Sequence, residues 1–328
     1  MADRAEIETF LASSGWAGAA RAPLAGDASS RSYDRLSRGT ARAVLMKAPP
    51  GTEIARFVRI GAWLAEAGYS SPAILARDDD KGLLLLEDFG DALMARRLET
   101  HPEDEAGLYA AITEFLADLH RHTPPADLSR LDGEGLAALL DLVPEHYPRA
   151  DRGAAREVAQ RIADTFEALS QEPFVMCLRD FHAENIILLE RPGHARLGLL
   201  DFQDAVQAHP AYDLVSALQD ARRDVSPEVE ARELARYAAL CGIDADRFSA
   251  IYALIGVQRA LRIMGIFAKL ARVDRKPRYL GFMPRVWGYV ERNLAHPELA
   301  GLARCVEAAY PAPTPDLIEE LRHDADRT

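Results

Sequence analysis

Apolar positions in the first ninety residues alternate between helical and extended spacing. Residues 3–14 carry Ile7, Phe10 and Leu11 at the spacing of a short amphipathic helix. Three short apolar runs follow, separated by Gly, Ser and Asp, and they predict an antiparallel meander with turns near Gly26 and Gly39: "RAPLAG", "SYDRLSRG" and "RAVLMKAP". Residues 53–67 return to helical spacing, and "AILAR" and "GLLLLED" add two predicted strands.

From Asp91 onward the spacing is almost entirely helical. We predict helices over residues 104–121, 133–147, 152–170, 210–221, 227–240, 245–271, 278–294 and 298–309, with one β interruption at about 174–202. The pattern therefore predicts a small β-rich lobe with a helix, a connector near 87–92, and a larger helical lobe that carries a hairpin-like insert.

Composition narrows the class of protein and of partner. A chain of 328 residues exceeds the usual limit of one hydrophobic core, so one large bilobed unit or two domains are expected. The net charge of −12 disfavours nucleic acid and anionic membranes as partners. The chain lacks a signal-like apolar start and a run of about twenty apolar residues, which predicts a cytoplasmic protein. Three widely spaced cysteines predict core thiols and no disulfide framework: Cys177, Cys241 and Cys305.

Candidate chemistry lies in the β interruption. In "VMCLRDFHAENIILL", residues 175–189, two apolar runs enclose a polar segment that holds Asp180 and Asn185, and the next run ends at Asp201 in "LGLLDFQDA". Hard oxygen ligands delivered at strand ends suit Mg²⁺ that bridges phosphates. Asp180 is the candidate base, because a carboxylate can accept the proton of a hydroxyl group that attacks a phosphoryl group.

"LRDFHAEN" followed by "LLDFQD" resembles the catalytic loop and metal-binding segment of the protein-kinase-like phosphotransferases, and it is closer to the aminoglycoside phosphotransferase branch. "HPAYDLVSAL" at 209–218 resembles that branch as well. The resemblance implies an α+β, bilobal protein-kinase-like fold, with an antiparallel-sheet, nucleotide-binding N-lobe at 1–87 and a mainly helical C-lobe at 88–328. It makes Asp180 the catalytic base, Asn185 and Asp201 ligands of Mg²⁺, and Asp213 a buried support of the loop. His182 falls where protein kinases place a phosphate-contacting Lys.

The same resemblance places ATP on the N-lobe. "GDASSRSYDRL" stands where a Gly-rich loop is expected, so Ser29, Ser30 and backbone amides would cradle phosphates, although a polar hairpin turn is the alternative. Lys47 ends an apolar strand and would meet the α- and β-phosphates. Its partner is expected to be a glutamate of the next helix, Glu53 or Glu66, because Phe57 takes the aligned position. Backbone groups of Glu87 and Phe89 would meet the adenine edge.

The acceptor is predicted from a wider resemblance. "GDASSRSYDRL", "LLLLEDFGD" and "LLDFQDAVQAHPAYDLVSALQDARRDV" are similar to the anomeric sugar kinases that act on N-acetylmuramate and N-acetylglucosamine in bacterial cell-wall recycling and yield sugar 1-phosphates. Asp220 with Arg222 or Arg223 would then contact the sugar, an arginine suiting a carboxylate, although a solvated helix end is the alternative. A structural role is favoured for His209, with a sugar contact as the alternative. Tyr252, Trp287 and Tyr289 could stack on a sugar face, but they are left out of the site because most aromatic residues at helical spacing are core residues. A kinase of an aminoglycoside, choline, homoserine or another small alcohol is the second hypothesis, and a pseudokinase the third.

Overall fold

A computed structural model describes residues 2–24 and 31–327, so Ser29, Ser30 and the turn at Gly26 lie outside the described residues. The strands are β1 (Ala20–Leu24), β2 (Ser32–Arg38), β3 (Ala41–Lys47), β4 (Ile74–Asp78), β5 (Leu83–Leu86), β6 (Arg130–Leu131), β7 (Val175–Cys177), β8 (Ile186–Leu188), β9 (Leu197–Leu199) and β10 (Val206–Ala208).

The α-helices precede these strands or lie between groups of them as far as β10, and the remaining helices follow β10 in succession. They are α1 (Arg4–Ser13), α2 (Thr52–Glu66), α3 (Met94–Thr100), α4 (Glu105–Leu119), α5 (Gly133–Ala138), α6 (Val143–His146), α7 (Arg152–Leu169), α8 (Ala211–Leu218), α9 (Pro227–Cys241), α10 (Ala245–Arg272), α11 (Met283–Leu294), α12 (Ala300–Ala309) and α13 (Pro315–Arg327).

The chain divides into two compact units. Unit 1 comprises residues 1–104 and 183–205, and unit 2 comprises residues 105–182 and 206–328. The boundary between the units thus falls within the segment of the candidate catalytic residues, between His182 and Ala183, and again just after Asp201, between Ala205 and Val206. The predicted boundary at residue 87 is a functional division between lobes and stays a prediction.

Unit 1 is built on a five-stranded antiparallel sheet of order β1-β2-β3-β5-β4. Helix α1 packs its apolar residues against this sheet, in one core cluster that includes Phe10, Leu36 and Leu45. Helix α2 buries Ile54, Phe57, Ile60 and Leu64 at helical spacing. Strands β8 and β9 form a separate two-stranded hairpin in this unit.

Unit 2 is mainly helical and is arranged around α10. By length and composition alone this helix could cross a membrane, but 83% of its apolar window is buried inside the structure, which is the position of a core helix. A small sheet of order β6-β10-β7 lies beside the helices. The antiparallel sheet in the N-terminal region and the helical C-terminal part confirm the predicted fold class.

Several predicted elements are wrong in detail. The single β interruption is in fact divided between two sheets, since β7 pairs with β10 whereas β8 pairs with β9. Strands β6 and β10 were not predicted, because two or three residues are too few to show an alternating pattern. The helix predicted over 133–147 is two short helices, α5 and α6, and helices α3 and α13 were not predicted.

The prediction that all three cysteines are core thiols holds only for Cys177. Cys241 is exposed, because it is the last residue of α9, and Cys305 is partly buried.

Candidate active site

Helix α8 holds the loop that contains Asp180. The buried carboxylate of Asp213 accepts hydrogen bonds from the amides of Leu178, at 2.5 Å, and Arg179, at 2.9 Å. One turn further along α8, the Ser216 hydroxyl donates to the Arg179 carbonyl at 2.8 Å. Residues three apart share a helix face. One face of α8 therefore accepts hydrogen bonds from two backbone amides of the loop and donates one to a backbone carbonyl.

These contacts fix a backbone conformation that residues other than glycine rarely adopt. Arg179 has a φ of 71°, in the left-handed region. Such residues persist only where surrounding contacts impose them, and they concentrate at functional sites. Beyond Arg179, the carboxylate-bearing residue Asp180 is exposed, and Phe181 is buried in a stack on Phe115 with ring centroids 5.3 Å apart. The loop therefore presents Asp180 to solvent from a fixed base.

The support behind the loop is a desolvated polar cluster. Burial raises the pKa of Asp213 to about 6, and the two loop amides act in the opposite direction. His120 and Cys177 offer ligand atoms within 4.8 Å of each other and of the Asp213 carboxylate. Burial lowers the pKa of His120 to about 3 and raises that of Cys177, and His120 lies 2.6 Å from the Tyr237 hydroxyl. A cysteine binds a metal ion as the thiolate, and burial disfavours the thiolate form of Cys177. The Asp213 carboxylate already accepts hydrogen bonds from the two loop amides. We therefore assign this cluster to the support of the loop.

The two predicted metal ligands lie at one end of the β8–β9 hairpin. Ile186 pairs with Leu199 in the hairpin. Just beyond this pair, the Leu200 amide donates a hydrogen bond of 2.9 Å to the Asn185 carbonyl. Asp201 follows directly, with a φ of 57° and a side chain that is 38% exposed. The hairpin register thus brings an amide and a carboxylate to the same end, and this donor set fits Mg²⁺.

Asp201 has two further neighbours in unit 1. Its Oδ1 accepts from Arg31 Nη2 at 2.5 Å and from Gln203 Nε2 at 3.0 Å. The next residue, Phe202, is fully buried and packs on Phe57 of α2 with ring centroids 4.9 Å apart. Arg31 was not predicted as a site residue, because its contact with Asp201 spans 170 positions of sequence.

Lys47 is paired, but with a different partner from the one expected. Its Nζ lies 2.8 Å from Asp34 Oδ2 on the neighbouring strand β2. Glu53 and Glu66 are exposed residues of α2, while Phe57 occupies a buried position of that helix. The expectation of a glutamate partner from α2 is therefore corrected to an aspartate from β2.

The predicted adenine segment is tightly constrained. The Glu87 amide donates to the Ala73 carbonyl at 2.8 Å, so the groups left for an adenine edge are the Glu87 carbonyl and the Phe89 amide. The Glu87 carboxylate binds Arg191, whose guanidinium lies 5.3 Å from the centre of the Phe89 ring. A methyl group on Gly198 would come within 2.8 Å of that ring.

The predicted sugar contacts lie together in unit 2, where Asp220 is buried and Arg222 and Arg223 are partly buried. Asp220 is only 3% exposed; its Oδ1 accepts from the Arg222 amide at 2.8 Å, and its Oδ2 is buried with no hydrogen-bond partner in the described chain. The Tyr289 hydroxyl lies 3.0 Å from the Asp220 carbonyl and 3.3 Å from the Arg223 carbonyl. Tyr289, assigned to the core from sequence, therefore also holds the backbone of this segment.

Two polar residues of α4 extend the group. The Arg223 guanidinium lies 3.2 Å from the Glu105 carboxylate. Burial raises the pKa of Tyr109; the charge of Asp220 raises it further, and Arg223 lowers it. Neither Glu105 nor Tyr109 was predicted. Their spacing of four residues, which places both on one face of α4, is the signal that would have indicated them.

His182 lies between the loop and this group. Its Nε2 is 3.4 Å from Arg222 Nη1, and its Nδ1 is buried without a hydrogen-bond partner among the described residues. Burial lowers the pKa of His182, while the charges of Asp220 and Asp180 act to raise it. An orphaned imidazole nitrogen and an orphaned carboxylate oxygen in one group are typical of a site for a polar ligand. His209, in contrast, is 3.0 Å from Glu172 and accepts from the Ala211 amide, as a structural residue does.

Comparison with known proteins places the chain among phosphotransferases. The profile of the phosphotransferase enzyme family matches residues 21–251. A protein of Caulobacter vibrioides named N-acetylmuramate/N-acetylglucosamine kinase is 39% identical, over 93% of this chain and 96% of its own length. A protein of the same name from Pseudomonas aeruginosa is 35% identical, over 85% of this chain and 86% of its own length.

Solved structures show the same fold at much lower identity. A choline/ethanolamine kinase family protein from Mesorhizobium loti superposes with a TM-score of 0.65 at 16% identity, covering 91% of this chain and 96% of its own. The profile covers well over half of the chain and the relatives cover most of it, which confirms the family predicted from the loop motifs. The chain belongs to the phosphotransferase enzyme family.

Proposed function

We propose that this protein transfers the γ-phosphoryl group of ATP to the anomeric hydroxyl of N-acetylmuramate, N-acetylglucosamine or both, giving the sugar 1-phosphate. The proposal is carried by the loop of unit 2, in which Asp213 holds the amides of Leu178 and Arg179 and the exposed Asp180 follows directly. His182 of the same loop lies 3.4 Å from Arg222, whose amide donates to the buried Asp220. The names of the relatives support the choice of sugar.

In the proposed step, Asp180 accepts the proton of the sugar hydroxyl while the oxygen forms a bond to the γ-phosphorus. The bond between that phosphorus and the oxygen that bridges it to the β-phosphate breaks, and ADP leaves with the electron pair. Asp213 and Ser216 hold the loop, so that the base does not have to reorganise during the reaction. Asn185 and Asp201 would hold Mg²⁺, which when bound supplies charge neutralisation for the phosphates.

Sugar recognition is assigned to the Asp220 group. The orphaned Oδ2 of Asp220 suits a hydroxyl donor of the sugar, because an acceptor left buried and unpaired is costly. Arg223 is already ion-paired with Glu105. Arg222, whose guanidinium lies 3.4 Å from His182 of the catalytic loop, is assigned to the carboxylate of N-acetylmuramate because of that proximity.

Arg222→Ala is expected to raise the KM for N-acetylmuramate about tenfold or more, since a hydrogen bond to a charged group contributes about 1.5–3 kcal/mol. The KM for the uncharged N-acetylglucosamine is expected to change by less than about threefold, because that sugar offers no carboxylate. Steady-state kinetics with both sugars measures the difference. Arg223→Ala is the matched control and is expected to affect both sugars alike. Equal losses for both sugars in Arg222→Ala would reject the assignment.

Gly198→Ala tests the adenine side. The added methyl would meet the Phe89 ring at 2.8 Å, so the ring and the backbone segment of Glu87 and Phe89 must shift. We expect the Kd for ADP to rise about tenfold, because one or two hydrogen-bonding groups would be misplaced. The KM for the sugar is expected to stay near its original value. Calorimetric titration with ADP measures the first quantity. Gly107→Ala, in α4 with open space around it and without a positive φ, controls for the general effect of an added methyl group.

The acceptor itself is tested by ADP release over a panel of small alcohols. Turnover with N-acetylated amino sugars is expected, and phosphorus NMR of the product should show phosphate on C1. A 6-phosphate would reject anomeric transfer. Turnover with an aminoglycoside, choline or homoserine would establish the second hypothesis, and ATP binding without turnover on any alcohol the third. We further propose that the protein works in the cytoplasm, on a soluble sugar and ATP.

A further inference from the structure

We propose that Arg31 competes with the divalent cation for Asp201, so that metal binding requires the guanidinium to leave the carboxylate. The inference rests on the proposed role of Asp201 as a metal ligand. Under this proposal Arg31 is a positioning residue, through which binding of the nucleotide affects binding of the cation and the reverse.

The contact is close and shielded. Arg31 Nη2 lies 2.5 Å from Asp201 Oδ1, and the Arg31 side chain is only 9% exposed. A guanidinium and Mg²⁺ both bind carboxylate oxygens, and two cations held on the oxygens of one small carboxylate repel each other at short range. The second donor to the same oxygen, Gln203 Nε2 at 3.0 Å, is neutral and imposes no such conflict.

Arg31 also has an alternative neighbour in unit 1. Burial opposes its charge, but Tyr33, Asp201 and Glu53 together raise its pKa above the ordinary value. Glu53 is thus a second anion within electrostatic reach, and it belongs to α2 and not to the hairpin of Asp201. A guanidinium that loses Asp201 to a cation therefore remains in an anionic environment.

The nucleotide offers a third anion. Guanidinium groups bind phosphate oxygens as well as they bind carboxylates. If the phosphates of the nucleotide attract Arg31, then nucleotide binding frees Asp201 for the cation, and by linkage the cation favours the nucleotide to the same extent. The ion pair would thus suppress binding of the cation alone and favour joint binding.

The test is the affinity for Mn²⁺, measured by electron paramagnetic resonance on the full chain without nucleotide and again with ADP. Arg31→Ala is expected to bind Mn²⁺ alone about tenfold more tightly than the original protein, and to show a smaller gain in Mn²⁺ affinity when ADP is added. Arg31→Gln removes the charge but keeps a polar side chain, so it is expected to behave as Arg31→Ala does even if the alanine variant folds poorly. Unchanged or weaker binding of Mn²⁺ alone in both variants would overturn the proposal.

Two controls separate this inference from the proposed function. Arg56→Ala removes a half-exposed arginine that lies 3.6 Å from Asp204, three residues beyond Asp201, and it should leave Mn²⁺ binding unchanged. Asp201→Asn should lose Mn²⁺ binding whether or not Arg31 competes. If Asp201→Asn binds Mn²⁺ normally, the metal assignment and the competition are both wrong. If it loses Mn²⁺ but the Arg31 variants match the original protein, only the competition is wrong.

Discussion

Asp180→Asn is expected to lower kcat by about three orders of magnitude, within the range of 10² to 10⁴ that a positioned base contributes. The asparagine keeps the size of the side chain but cannot accept the proton of the attacking hydroxyl. Nucleotide binding should be retained, because the proposed nucleotide groups belong to unit 1 and Asp180 belongs to unit 2. ADP release measures kcat, and calorimetric titration with ADP measures the retained binding.

Glu184→Gln is the control for this substitution. Glu184 is a partly buried carboxylate of the same loop, four residues beyond Asp180, and no step is assigned to it. We expect its kcat to stay within about threefold of the original value, which corresponds to well under 1 kcal/mol. If Asp180→Asn retains more than about a tenth of the original kcat, then Asp180 is not the base.

Asp213→Ala is expected to lower the free energy of unfolding by about 2–4 kcal/mol, since two buried amides lose their acceptor at once. Asp213 is fully buried and takes the Leu178 and Arg179 amides on its two oxygens. Urea unfolding followed by circular dichroism measures the loss. Where the variant is still folded, kcat should fall as well, because Arg179 is no longer held at its positive φ and Asp180 is no longer fixed.

The matched control for the stability measurement is Asp164→Ala, at an exposed position of α7 where the carboxylate accepts a hydrogen bond from Gln160, one turn earlier in the same helix. A change within about 0.5 kcal/mol is expected at such a site. If the two alanine variants unfold at the same urea concentration, the assigned support of the loop by Asp213 is wrong.

The loop could be predicted from sequence because its chemistry is local. Asp180 and Asn185 lie five residues apart between two apolar runs, and Asp213 follows at the start of a helix. The fold class could also be predicted, since helices of fifteen or more residues and strands of five to seven show their periods clearly. The roles of the loop residues remain predictions until the substitutions are made.

What sequence did not reveal depends on contacts between distant residues. Lys47 takes Asp34 as its partner because the register between β2 and β3 sets Ser32 opposite Lys47 and puts Asp34, two residues on, on the same face of the sheet. This register is not visible in one strand. The Arg31–Asp201 and Arg223–Glu105 contacts span 170 and 118 positions. A charged residue at such a site looks like an ordinary surface residue in the linear chain.

The Tyr289 hydroxyl bears on how acceptor preference changes during evolution. It meets the carbonyl groups of Asp220 and Arg223, which every residue type possesses, and not their side chains. Replacing the Arg223 side chain would therefore leave both contacts of Tyr289 intact, whereas replacing Asp220 would also release the Arg222 amide. Under the proposed assignment of this segment to the acceptor, a substitution at Arg222 or Arg223 would change the acceptor contacts while the backbone of the segment and the catalytic loop stay in place.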